Sequence, residues 1–164
     1  MKGKILVACV GNVSLGDDAF GVELGNRLAR VSLPDHVVVR EFGAGSQDVV
    51  NALVGDWQLV VLVRALQQGE RPGTVSIFEP EVPKGVQPAA PFDSRRADAG
   101  DILAEVTGLG GKVARMIVVA CEPARLDPSA TGCIRLSTPA QAALNEAQEL
   151  VLRLVSTTAV AKAA

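Results

Sequence analysis

The run "KILVACV", Lys4 to Val10, is apolar after its first residue and carries β-branched members without any alternation of polar and apolar positions. A strand with one wet face alternates with period two, so an unbroken run reads as a strand covered on both faces. Such a strand needs a helical layer above and another below. The rest of the chain supplies them. Phe20, Leu24, Leu28 and Val31 recur at helical spacing, and Pro34 ends that helix. "HVVVREF" reads as a second strand, and Ser46 to Val54 as a short helix closed by Gly55. "QLVVLVR", Gln58 to Arg64, is a third strand and the most apolar. A Pro72-Gly73 turn leads to a fourth strand, Thr74 to Phe78. Asp98 to Leu109 reads as a helix, and "KVARMIVVAC" as the fifth strand. "STPAQAALNEAQELVLRLV" closes the chain as a helix, with Thr138 at the N-cap, Pro139 at N1 and Gln141 completing a capping box. From Thr157 onward the tail is expected to fray. Strands alternating with helices predict an α/β fold: one domain over residues 1–164, with a twisted, mainly parallel five-stranded sheet between helices.

Charge and cysteine content narrow the setting. Net charge is -2 with no basic tract, which argues against a nucleic-acid partner or a membrane surface. No apolar run approaches the ~20 residues that span a bilayer, and the first residues read as a strand rather than a secretion signal. Cys9, Cys121 and Cys133 match no zinc spacing and suit a reducing compartment, so the protein is expected to be cytoplasmic. Cys9 and Cys121 read as small buried residues at strand ends.

In a sheet of this kind, ligands sit beyond the carboxyl ends of the strands. Gly11 to Asp18, Glu41 to Gly45, Arg64 and Cys121-Glu122-Pro123 all collect there. In "GNVSLGDDAFG" the adjacent Asp17 and Asp18 either hold something or start the first helix as an N-cap. Several chemistries drop out. His36 is the single histidine and belongs to the entry of the second strand, so no Ser-His-Asp set is available. Adjacent aspartates on a turn point apart and make no dyad. The segment after the first strand holds neither a phosphate loop followed by Lys and Ser or Thr nor a tight Gly-x-Gly-x-x-Gly. The proline-rich stretch 79–97 reads as a loop of a length that is more often functional than idle.

"VACVGNVSLGDDAFGVEL", "EFGAGSQDVVNAL", "VVLVRALQQGERPGTVSIFEPE", "VVACEP" and "LSTPAQAALNEAQELV" follow one another in the order and spacing of the hydrogenase maturation protease family. The chain resembles that family over nearly its whole length. The resemblance implies the fold described above. It also implies an endopeptidase that clips a C-terminal extension from the nickel-bearing large subunit of [NiFe] hydrogenases. Family members carry three ligands that read the nickel of the precursor: an acidic residue, an aspartate ending the third strand, and a histidine in the loop before the next helix. Asp18 matches the first position. Arg64 stands at the second, and Arg95, or Arg96 on a one-residue slip, at the third. Gly11, Asn12, Asp17, Gly43 and Gly45 would shape the pocket.

Nickel needs lone-pair donors, and a guanidinium has five N–H donors, no acceptor and a permanent charge. At ~4 Å and an effective dielectric of 20, each unit pair of like charges repels by about 4 kcal/mol. Nickel-dependent cleavage is therefore expected to be impaired or lost. Asp93, Asp98 and Glu122 are the nearby residues that could rebuild a site. Two states of the pocket follow. In one, Asp17 caps the first helix and Asp18 pairs with one or both arginines, closing the pocket. In the other, the crevice stays open and the arginines grip a partner's carboxylate bidentately. The chain itself is expected to carry no cofactor. Its expected partner is a [NiFe] hydrogenase large subunit or another maturation factor. It either binds or scaffolds that partner as a pseudoprotease, or cleaves it through a rearranged site.

Overall fold

A computed structural model describes residues 3–43, 46–82, 98–126 and 135–161. Gly45, Asp93, Arg95, Arg96, Cys133 and most of the 79–97 stretch lie outside the described residues. The elements in order are β1 (Ile5–Val10), a 3-10 turn (Gly16–Ala19), α1 (Phe20–Leu28), β2 (Val37–Phe42), α2 (Ser46–Leu53), β3 (Asp56–Trp57), β4 (Leu59–Ala65), β5 (Val75–Phe78), α3 (Ala99–Gly108), β6 (Lys112–Val113), β7 (Met116–Cys121) and α4 (Thr138–Ala161). Five strands form one sheet in the order β2-β1-β4-β7-β5. All neighbours run parallel except β5, which lies antiparallel on β7. The sheet and its helices match the α/β architecture expected from the sequence.

The unbroken apolar strands sit in the middle, as their composition requires. β1, β4 and β7 pack side chains into a core on each face. Ile5, Val7, Cys9, Val61, Val63, Ile117 and Val119 meet α1 and α4 through Phe20, Leu24, Leu144 and Val151. Leu6, Ala8, Val60, Leu62 and Val118 meet α2 and α3 through Val49, Leu53, Ile102 and Val106. Each such aliphatic side chain contributes about 1.5–3 kcal/mol when fully buried.

Three local readings need correction. "KVARMIVVAC" is not one strand: Lys112–Val113 pairs with Asp56–Trp57 as a separate ladder, and the Ala114 amide donates to the Trp57 carbonyl at 2.9 Å before β7 begins. The cap of α4 is Ser137 rather than Thr138. The Ala140 amide donates to Ser137 Oγ at 3.4 Å and the Gln141 amide to the Ser137 carbonyl at 2.9 Å, so Thr138 is the first helical residue. Finally, α4 runs past Thr157 to Ala161. Val151 and Val155 are buried against the sheet, and Thr158 Oγ1 donates to the Leu154 carbonyl at 2.9 Å, which carries the helix on.

Candidate functional site

The carboxyl ends of β1 and β4 meet the first loop at the top of the sheet. β1 stops at Val10, and the chain turns at Gly11, whose amide donates to the Phe42 carbonyl of β2 at 3.3 Å. A Cβ at Gly11 would lie 2.0 Å from the Asp18 carbonyl oxygen, so only glycine lets the loop return across its own start. At Gly21 an added Cβ would come within 2.3 Å of the Val10 carbonyl and 2.7 Å of the Val63 carbonyl. Glycine there brings α1 directly onto the ends of β1 and β4. Gly43 differs: an added Cβ would meet no atom within 4 Å, so packing does not demand glycine at that position.

The loop between is pinned by its own polar groups. The Asn12 amide donates to Asp18 Oδ2 at 2.9 Å, and Asn12 Oδ1 accepts from the Ser14 amide at 2.9 Å. The Leu15 amide closes the turn on the Asn12 carbonyl at 3.1 Å. Asp18 is half-buried in the loop beyond the carboxyl end of β1.

Asp17 is not a helix cap. Leu15 is the N-cap of the 3-10 turn and Ala19 that of α1, and neither makes a side-chain cap. Asp17 is instead 1% exposed and faces inward. Its Oδ2 accepts from the Ala124 amide at 2.8 Å, the Arg125 amide at 3.2 Å and Ser137 Oγ at 2.6 Å. Its Oδ1 accepts from the Ser137 amide at 2.7 Å, and its own amide donates to the Arg125 carbonyl at 2.8 Å. One carboxylate thus ties the turn after β1, the segment after β7 and the start of α4 together. Burial pushes its pKa up, but the hydrogen bonds from Ser137, Ala124 and Arg125 outweigh that and hold it below the ordinary aspartate value.

Arg64 is the penultimate residue of β4, beside Ala120 of β7 in the ladder. Alternation along β4 places it on the face of Val60 and Leu62, toward α2 and α3. It is half-buried, and its Nε donates to the Ala65 carbonyl at 3.4 Å. Among the described residues no ion pair joins Asp18 to Arg64.

The other acids near the crevice are engaged in structure. Glu122 is 7% exposed, and its Oε2 accepts from the Gln68 amide at 2.7 Å. Its backbone bonds Thr74 and Gly73, so it braces the connection from β4 to β5. Asp98 caps α3 in a reciprocal box with Asp101. Among the described residues no three His, Cys, Asp or Glu side chains gather closely enough to hold a metal ion. Cys9 and Cys121 are buried free thiols. Burial, with Glu41 adding to it, pushes Cys9 up to about 12. Burial, then Asp17, Glu122 and Glu146, pushes Cys121 up to about 12. Both stay protonated and serve as packing residues. His36 lies half-buried at the opposite end of the sheet, remote from this crevice.

The clasp on Asp17 was missed in the sequence because its partners are 107, 108 and 120 residues away. The available signal was the pairing of a second acid with a glycine turn, which a single local cap does not require.

The family model for hydrogenase maturation protease matches residues 22–154. The Hydrogenase 2 maturation protease of Escherichia coli is 27% identical over 155 residues, covering 91% of this chain and 88% of that protein. The solved structure of the hydrogenase maturating endopeptidase HybD from E. coli superposes with a TM-score of 0.78 at 25% identity, covering 94% of this chain and 93% of that one. The hydrogenase 2 maturation peptidase of a Thaumarchaeota archaeon superposes at 0.67 with 27% identity, covering 93% and 97%. With the sheet order, the glycine-turned first loop and a family match over most of its length, the chain belongs to the hydrogenase maturation protease family.

Proposed function

We propose that this protein acts in maturation of a [NiFe] hydrogenase large subunit by binding its C-terminal region, with the nickel-dependent endopeptidase step impaired or lost. One feature supports the reading. Arg64 occupies the end of β4, at the sheet end that also carries Asp18, and the sequence resemblance implies an aspartate at that position in the family. A guanidinium cannot donate a lone pair, and at ~4 Å in a medium of effective dielectric 20 its charge repels each unit of positive charge by about 4 kcal/mol, so about 8 kcal/mol for a dication. Asp18 alone offers one carboxylate, and its Oδ2 already accepts from Asn12. Nickel, in this reading, is cargo of the precursor and not a resident cofactor. The reading sets the work in the cytoplasm, where Cys9 and Cys121 remain free thiols.

The guanidinium also suits the binding role, because it can engage a carboxylate through two parallel N–H···O bonds. The test uses nickel-loaded large-subunit precursor incubated with the purified chain. Co-elution on a sizing column with an unchanged precursor mass is the expected result. A precursor shortened at its C-terminus would show a working protease with a rearranged site and overturn the proposal.

A further inference from the structure

β2 forms one edge of the five-stranded sheet, and among the described residues no strand pairs with its outer side. The Ile5 amide donates to the His36 carbonyl at 2.9 Å and the Gly11 amide to the Phe42 carbonyl at 3.3 Å. In a parallel ladder with this register, the even-numbered residues of β2 bond to β1. The backbone N–H and C=O of Val39 and Glu41 therefore point away from the sheet, and among the described residues nothing pairs with them. Natural edges are usually guarded by proline, charged side chains, a bulge or a covering segment. β2 carries its charges, Arg40 and Glu41, only in its second half and opens with Val37, Val38 and Val39, all half-exposed.

A groove lies along each face of this edge. On the α1 side a groove of about 570 Å³ runs past Leu28, Val31 and Leu33, with Val37 and Val39 facing it. On the α2 side a groove of about 1220 Å³ runs past Trp57, His36 and Arg40, with Val38 facing it. A strand added to β2 would present its side chains alternately to these two grooves. The edge also leads somewhere. It ends at Phe42, whose carbonyl receives the Gly11 amide, so the next residues reached are those of the loop carrying Asn12 and Asp18.

We infer that the outer edge of β2 takes up an extended peptide as a sixth strand, and that this peptide is the C-terminal segment of the large-subunit precursor. The inference rests on the function proposed above. The peptide lays apolar side chains into the α1-side groove and polar ones beside Arg40, and its end arrives at the crevice. A second copy of the chain is the competing occupant. Antiparallel pairing of β2 with itself centred on residue 40 or 41 opposes Arg40 to Arg40 or Glu41 to Glu41, which is unfavourable, whereas pairing centred on Val39 sets Val38 against Arg40 and brings no like charges together, so the experiment distinguishes self-pairing from the peptide.

Amide hydrogen exchange on the full chain, read by NMR with and without a synthetic peptide of the precursor's C-terminal extension, tests this. The Val39 and Glu41 amides should exchange fast in the free protein and slow by about tenfold or more with peptide, while Val38 and Arg40 stay protected throughout. Val39→Pro removes an outward donor and leaves the β1 ladder intact, so it should weaken peptide binding at least about tenfold with an unchanged melting profile. Should that variant melt early, the exchange pattern of the unaltered chain decides. Peptide binding with protection elsewhere would overturn the edge assignment and leave the proposed function standing. No binding of either peptide or precursor would overturn both. Concentration-dependent protection of Val39 and Glu41 without peptide would assign the edge to self-association and end the proposal.

Discussion

Replacing Asp17 by alanine separates a clasp from a cap. A helix N-cap lost to alanine costs about 1 kcal/mol. Asp17 instead accepts four hydrogen bonds from Ala124, Arg125 and Ser137. Hydrogen bonds to a charged acceptor are each worth about 1.5–3 kcal/mol, and buried donors left without a partner cost about 1–3 kcal/mol each. The Ser137 amide and hydroxyl are buried and pay that penalty in full, whereas the Ala124 and Arg125 amides sit on exposed residues and recover much of it from water. The expected loss for Asp17→Ala is about 4 kcal/mol, a large part of the ~5–15 kcal/mol that holds a domain together. In a domain of this size that corresponds to a fall in melting temperature of about 10 °C. Asp17→Asn keeps one acceptor oxygen but turns an amide donor toward other donors, so it should lose roughly half as much. Calorimetry and urea titration at neutral pH read both variants.

The pH dependence adds a second handle. The folded carboxyl titrates below its unfolded value, so its contribution is complete above the ordinary aspartate pKa of about 3.9 and is lost as pH falls through the lower folded value. The gap between the wild-type protein and Asp17→Asn should therefore close at acid pH. A melting shift for Asp17→Ala of only about 2 °C, the size of a single exposed cap, would refute the clasp.

Three further outcomes follow from the same geometry. Gly11→Ala must push a Cβ against the Asp18 carbonyl, and a loss of about 3 kcal/mol in urea titration is expected; a neutral change would mean the first loop is looser than described. Cys9 and Cys121, each pushed up to about 12, should resist iodoacetamide at pH 8 in the folded protein and react on unfolding, which intact-mass analysis reads directly. The double change Arg64→Asp with Arg95→His restores the family's donor types, and nickel or cadmium affinity should appear by calorimetry. No gain over the parent would show that these two positions do not share a pocket.

The chain's own pattern already determined the layered α/β fold. Unbroken apolar runs at Ile5–Val10, residues 59–63 and Met116–Cys121 can only be satisfied between two helical layers, and the intervening helical periodicities supply those layers. Both signals are local, since each is written within one element. The motif order around "GNVSLGDDAFG" likewise pointed to the family. Tertiary structure alone decided what individual polar residues do. Asp17 looks like a cap because its neighbours in sequence begin a helix, yet its hydrogen-bond partners come from β7's exit and α4's start. Asp98 and Glu122 look available for a metal, but the first is spent on α3 and the second on Gln68. A carboxylate's role is set by the donors that reach it, and here those donors are brought by the folding of segments about a hundred residues apart. Apolar burial is readable from spacing because it is non-directional; hydrogen bonding is directional and waits for the fold.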